Sequence, residues 1–246
     1  MLGILMSIEI VETAPGISNP ILILAVPGAG LVGVIAADHL IKTAGLSEVG
    51  KIDSPIFPPV IGVKDGIAMH TVKIYSGKGL YVIKAEVPLP IDPLLRLTTS
   101  VLDWIARRRP KLAIVLGGVP EENRIKIEKP QVMAVFNCEE AKSFAENIRG
   151  DLMKEGFLSG YAAFFLREAT RRGVPAAALM VQSFATYPDP GAAAEILKSI
   201  EPVLGFDIDI SQLEAESETI RLKLKELMAQ TVQAMPKEGQ APMYIG

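Results

Sequence analysis

Two hydrophobic patterns alternate along the chain. Short, continuous apolar runs suit strands buried on both faces. Longer stretches, with apolar residues every three or four positions, suit helices with one buried face. Residues 8–11 read as an opening strand, and 21–26 (Ile-Leu-Ile-Leu-Ala-Val) form the first fully apolar run. A turn follows, Pro27-Gly28-Ala29-Gly30-Leu31-Val32-Gly33. Helical spacing then covers 34–44 and stops at Gly45, a residue suited to a left-handed helix cap. Residues 48–53 predict a second strand. Pro55, Pro58 and Pro59 exclude a helix after it. Residues 61–63, Lys64-Asp65-Gly66 and 67–75 then read as strand, turn and strand, since Asp-Gly is a strong hairpin signal. A further strand is predicted over 80–85. After a proline-rich loop at 88–93, helical spacing covers 94–109. Strands are predicted at 112–116 (ending in Gly117-Gly118), 132–136 and 176–181, and helices at 139–154, 158–172 and 190–201.

This order predicts an α/β fold: a mostly parallel sheet flanked by helices, with a small antiparallel element near 61–85. Residues 1–210 form the core domain. The C-terminal part departs from the alternation. Residues 211–235 read as a long amphipathic helix, with Leu213, Ile220, Leu224, Leu227 and Thr231 at helical spacing. It packs on its own domain or forms a seam with a partner. Residues 236–246 read as a flexible tail with an apolar tip, Met243-Tyr244-Ile245-Gly246.

Composition narrows the function classes. Apolar residues make up 49% of the 246 and aromatics only 6%, so the core is aliphatic. The net charge of −3 gives no global basic excess for nucleic acid or an anionic membrane. The mean hydropathy of +0.32 calls for a membrane test. Residues 13–37 carry no charge and are long enough to span a bilayer. They also contain Pro15, Gly16, Pro20, Pro27, Gly28, Gly30 and Gly33, and their flanks lack clustered Lys or Arg. No cationic region precedes the first apolar residues, so no signal peptide is read. We expect a cytoplasmic protein whose excess apolar surface is shared between subunits. Cys138 is the single cysteine, which excludes an intrachain disulfide and a Cys-based zinc site. Two histidines, His39 and His70, leave little for metal or acid–base chemistry. No metal or cofactor is expected.

Gly28, Gly30 and Gly33 match G-x-G-x-x-G after a strand, and Asp53 lies twenty residues past Gly33 at the end of the second strand. In a nucleotide- or nucleoside-binding enzyme, such glycines admit the pyrophosphate at a helix N-terminus and the acid binds a ribose hydroxyl. The competing reading is that they let the helix pack closely on the sheet, or let a neighbouring subunit approach closely. No nucleophile elbow, P-loop or H-E-x-x-H motif occurs, so no catalytic residue is assigned. Cys138 is expected to be a buried structural thiol. Glu121 and Glu122 suit a solvated loop, and Glu139 and Glu140 suit a helix start. Asp189 suits an N-cap before Pro190. Arg107, Arg108 and Arg109 suit the negative end of a helix, with an anion site as the alternative.

The ordered set Gly28-Ala29-Gly30-Leu31-Val32-Gly33, Gly117-Gly118, Gly156-Phe157-Leu158-Ser159-Gly160 and Pro188-Asp189-Pro190-Gly191-Ala192-Ala193, followed by the Leu213 helix, resembles the archaeal proteins of the proteasome assembly chaperone family. The resemblance covers about residues 21–228. It implies a nucleoside-phosphorylase-like fold without catalytic residues. It also implies a cytoplasmic chaperone that forms a tetramer or similar homo-oligomer and binds proteasome α subunits, alone or with a paralogous chaperone. Some relatives carry a C-terminal hydrophobic-Tyr-X tripeptide that enters pockets between α subunits. Met243-Tyr244-Ile245 matches it, but Gly246 follows and displaces the terminal carboxylate by about 3.5 Å.

Overall fold

The computed structural model describes residues 7–220 and Leu222. In chain order the elements are β1 (Glu9–Glu12), β2 (Ile21–Ala25), α1 (Val32–Ala44), β3 (Ser47–Asp53), β4 (Gly62–Lys64), β5 (Ile67–Met69), β6 (Val72–Gly77) and β7 (Leu80–Ala85). Then come α2 (Ile91–Ala106), β8 (Leu112–Pro120), β9 (Val132–Phe136), α3 (Glu139–Phe144), β10 (Asp151–Leu152), α4 (Gly160–Arg171), β11 (Ala176–Ser183) and α5 (Pro190–Leu204). Nine strands form one sheet in the order β1-β3-β6-β7-β2-β8-β11-β9-β10. The middle strands β7, β2, β8 and β11 are mutually parallel, with Ile23 opposite both Val82 and Ile114. Antiparallel pairs flank them: β1, β3, β6 and β7 on one side, β9 against β11 on the other.

Alternation along each central strand feeds two cores. Ile21, Ile23 and Ala25 face the layer of α1 and α5. Leu22 and Leu24 face the layer of α2 and α4, with Trp104 and Phe165. All five residues of β2 are buried, as its continuous apolar run requires. Each buried Ile or Leu contributes roughly 1.5–3 kcal/mol. Gly45 closes α1 at φ +65°, and Asp189 caps α5 by accepting a hydrogen bond from the Ala192 amide, with Pro190 at the first helical position.

Several elements differ from the pattern reading. The strand expected over 67–75 is two. β5 pairs only with β4 in a small separate sheet, and β6 joins the large one. His70 sits at the break, its Nε2 2.8 Å from Lys51 Nζ and its Nδ1 3.5 Å from Asp53. The helix expected over 139–154 stops at Phe144, and the chain returns to the sheet edge as β10 beside β9. Gly150 permits this approach, since a Cβ there would lie 3.2 Å from the Val132 carbonyl oxygen. β8 runs on past Gly117 and Gly118, where it was expected to end, to Pro120. α2 ends at Ala106, so the three arginines lie at and past its end rather than in its last turn.

A final helix occupies residues 211–220, with Leu213 buried in the α1–α5 core. His39 on α1 donates a hydrogen bond to the Asp209 carbonyl just before it. The rest of the expected 211–235 helix beyond Leu222, and the 236–246 tail, lie outside the described residues. Among the described residues, no helix is long and apolar enough to cross a membrane.

Candidate functional site

The carboxyl ends of β2, β8 and β11 are where an open α/β sheet holds a ligand. Here the turn after β2 packs closely on the ends of β8 and β11. The turn after β2 passes through Gly30 at φ +62° and Leu31 at φ +49°. A Cβ on Gly30 would lie 3.0 Å from Ser183 Cβ and 3.1 Å from Asp189 Cβ. A Cβ on Gly33 would lie 2.7 Å from the Leu116 carbonyl oxygen, and one on Gly118 would lie 2.4 Å from the Ala29 carbonyl oxygen. These glycines are contact positions between α1, β8 and β11. Gly28 differs: its backbone is extended and its Cβ direction is open.

One buried ion pair locks this end. Asp189 (1% exposed) receives Arg124 Nε at 2.8 Å and Arg124 Nη2 at 2.9 Å. Its carboxylate also accepts the amides of Ala192 at 3.0 Å and Phe184 at 3.1 Å, and its own amide donates to the Gly30 carbonyl at 2.8 Å. Arg124 Nη1 donates to the Ile127 carbonyl at 2.6 Å. Through its carboxylate and its amide, Asp189 therefore ties together the β2–α1 turn, the loop after β11, the first turn of α5 and the turn at Arg124. Such a fully partnered pair is structural, with no free group for chemistry. Asp189 was readable as a cap. Arg124 was not, because Glu121-Glu122-Asn123-Arg124 has the composition of a solvated loop.

The alternative set Gly28, Gly30, Gly33 and Asp53 is not brought together. β6 and β7 lie between β3 and β2, which puts Asp53 roughly 14 Å from the turn at the usual strand spacing. Asp53 instead faces His70. Cys138 is exposed where a buried thiol was expected, because β9 ends at Phe136 and Cys138 lies outside the core at the start of α3. Glu121 is half-buried, accepting hydrogen bonds from the Asn123 amide and Gln182 Nε2. Among the described residues, no group of three or more His, Cys, Asp or Glu side chains is placed to hold a metal ion.

The exposed apolar surface lies elsewhere. Ile61, Val63 and Ile67 on and beside the β4–β5 hairpin are each more than 60% exposed, and Ile91 lies open at the start of α2. On and beyond β10, Leu152 and Met153 are exposed and Phe157 is 100% exposed. Sequence patterning missed both places, because an apolar residue in a loop or short strand has no periodic partner to reveal which way it faces. Met243, Tyr244 and Ile245 lie outside the described residues.

The PAC2 family model matches residues 22–228. An uncharacterized protein of Methanocaldococcus jannaschii is 29% identical over 241 residues, covering 97% of this chain and 99% of the relative. Among solved structures, Pyrococcus furiosus PbaA, described as an archaeal homolog of proteasome-assembly chaperone, superposes with a TM-score of 0.78 at 25% identity. That match covers 92% of this chain and 94% of PbaA. Pyrococcus furiosus PbaB, described as an archaeal proteasome activator, gives 0.77 at 22% identity over 91% and 99% of the two chains.

Proposed function

Because this chain belongs to the PAC2 family, we propose that it is a non-enzymatic cytoplasmic chaperone that self-assembles and engages proteasome α subunits to promote assembly of the core particle. The observation that carries this reading is the family match over residues 22–228, joined to the likeness to PbaA across nearly the whole chain. Two structural features support it. At the carboxyl ends of β2, β8 and β11 the glycine turn packs closely on the protein's own strands. Large apolar side chains stand in the open on the hairpin and beyond β10, and exposed apolar surface is what a contact protein requires. The tail residues Met243, Tyr244 and Ile245 are the proposed docking element toward the α subunits.

Light scattering of the full chain, alone and mixed with purified α subunits, tests this function. The chain alone is expected to show a mass above that of a monomer, and the mixture a co-eluting complex. Removing residues 243–246 is expected to weaken capture of α subunits while leaving the chain's own mass unchanged. A monomer that fails to co-elute with α subunits overturns the proposal.

A further inference from the structure

A second concave site lies at the opposite end of the sheet, by the amino ends of β2 and β8. A cleft of about 640 Å³ is lined by Gly16, Ile17, Ser18, Asn19, Arg107, Arg108 and Arg109. Two loops form it and are fastened main chain to main chain: the Asn19 amide donates to the Arg108 carbonyl at 2.9 Å, and the Lys111 amide donates to the Pro20 carbonyl at 2.9 Å. Asn19 and Arg109 both stand at φ +51°. For arginine this is a disfavoured backbone state, and such states concentrate at functional positions.

The charge in the cleft is unbalanced. Arg108 is neutralised from behind by Glu12 and sits over Trp104, its guanidinium carbon 4.1 Å from the ring centre. Its Nη1 donates to the Trp104 carbonyl, while its Nε is buried with no hydrogen-bond partner. That orphaned donor lies beside Gly16, where a Cβ would come within 3.2 Å of it. Arg107 and Arg109 are exposed and make no ion pair or side-chain hydrogen bond among the described residues. The same holds for nearby Lys111. The negative end of α2, which stops at Ala106, accounts for Arg108, whose Nη1 caps the Trp104 carbonyl. In a chain of net charge −3, three consecutive guanidinium groups line one cleft, with a single half-buried carboxylate behind them.

We propose that this cleft is an oxyanion-binding site, in which Arg107 and Arg109 close on a carboxylate- or phosphate-bearing ligand and Arg108 forms the rigid floor. Arginine forks suit such ligands because two parallel N–H donors match two oxygens of the anion. The site is independent of the proposed chaperone role and lies away from the hairpin and the β10 edge.

The test is an NMR titration of the full chain at constant ionic strength, with sodium chloride as the reference salt. Inorganic phosphate is one probe and hexaglutamate the other. Saturable shifts of the amides of residues 16–19, 107–109 and Lys111 are expected with at least one probe. Phosphate alone identifies a free anion as the ligand source, and hexaglutamate alone identifies an acidic peptide. The double variant R107A/R109G is expected to bind at least tenfold more weakly. It should fold, because Arg107 is exposed and glycine accepts the positive φ at 109 without strain. R109K, which keeps the charge and loses the fork, is expected to fall between the two. The proposal is overturned if neither probe shifts these residues beyond chloride, or if R107A/R109G binds like the unaltered chain.

Discussion

Asp189 shows how one residue can hold four segments. Its two oxygens accept four hydrogen bonds, two from Arg124 and one each from the Ala192 and Phe184 amides. The partners are unequal in what they leave behind. Truncating Arg124 leaves Asp189 with two amide donors. Truncating Asp189 strands a guanidinium that is 4% exposed and uncaps α5. D189A should therefore cost about 3–5 kcal/mol, from breaking a buried pair, and about 1 kcal/mol more from the lost cap. R124A should cost about 3–5 kcal/mol without the cap loss, since it too breaks the buried pair. Urea unfolding of both variants checks the order, and an equal or reversed cost refutes this account of the carboxylate.

At the scale of elements, α2 and α4 are joined across the second core by Arg172. It donates from Nε to Asp103 on α2 at 2.7 Å and from Nη1 to Glu168 on α4 at 2.8 Å. The Arg172 hydrogen bond, more than any other contact, holds the Glu168 carboxyl below its usual range, aided by Arg171. A carboxyl whose folded pKa is depressed contributes stability that is present above its unfolded value. That stability is lost as the pH falls through the folded value. Thermal melts of the unaltered chain and E168Q should thus differ most near pH 6. The gap should close as the pH drops below the ordinary glutamate value of 4.5 and through the depressed folded value. A gap independent of pH would mean that Glu168 acts by packing alone.

Across the whole molecule, the three layers converge at the carboxyl ends of β2, β8 and β11, where contacts between backbones replace side-chain packing. Gly118 is the tightest of these points, with Ser183 Oγ 2.3 Å and the Ala29 carbonyl oxygen 2.4 Å from where a Cβ would stand. G118A should push the α1 turn away from β8 and β11 and cost about 1–3 kcal/mol. G28A, in open space on extended backbone, should stay within about 0.5 kcal/mol of the unaltered chain. Urea unfolding followed by the fluorescence of Trp104 compares the two. Equal effects would return the glycines to the role of a ligand-binding turn.

The order of strands and helices in the core was legible in the sequence because fully buried strands must be continuously apolar. The runs at 21–26, 80–85 and 132–136 appear as β2, β7 and β9 within a residue of their expected limits. Gly45 and Asp189 were also legible, since helix ends have local chemistry. The helix over 139–154 was overread, because helical spacing does not record a sheet edge that the chain must return to cover. Strand direction was hidden for a similar reason. Nothing local to 132–136 says that β9 runs against β11. The glycine turn was ambiguous by itself: G-x-G-x-x-G states that a backbone comes close, without stating to what. Tertiary structure supplied Leu116, Ala29 and Ser183 as the neighbours and moved Asp53 three strands away. The sequence by itself determined the aliphatic α/β core and the scarcity of catalytic groups, because burial and residue type are local properties. Only the tertiary structure decided where the buried Arg124–Asp189 pair, the three-arginine cleft and the open apolar side chains lie, because each depends on segments distant in the chain.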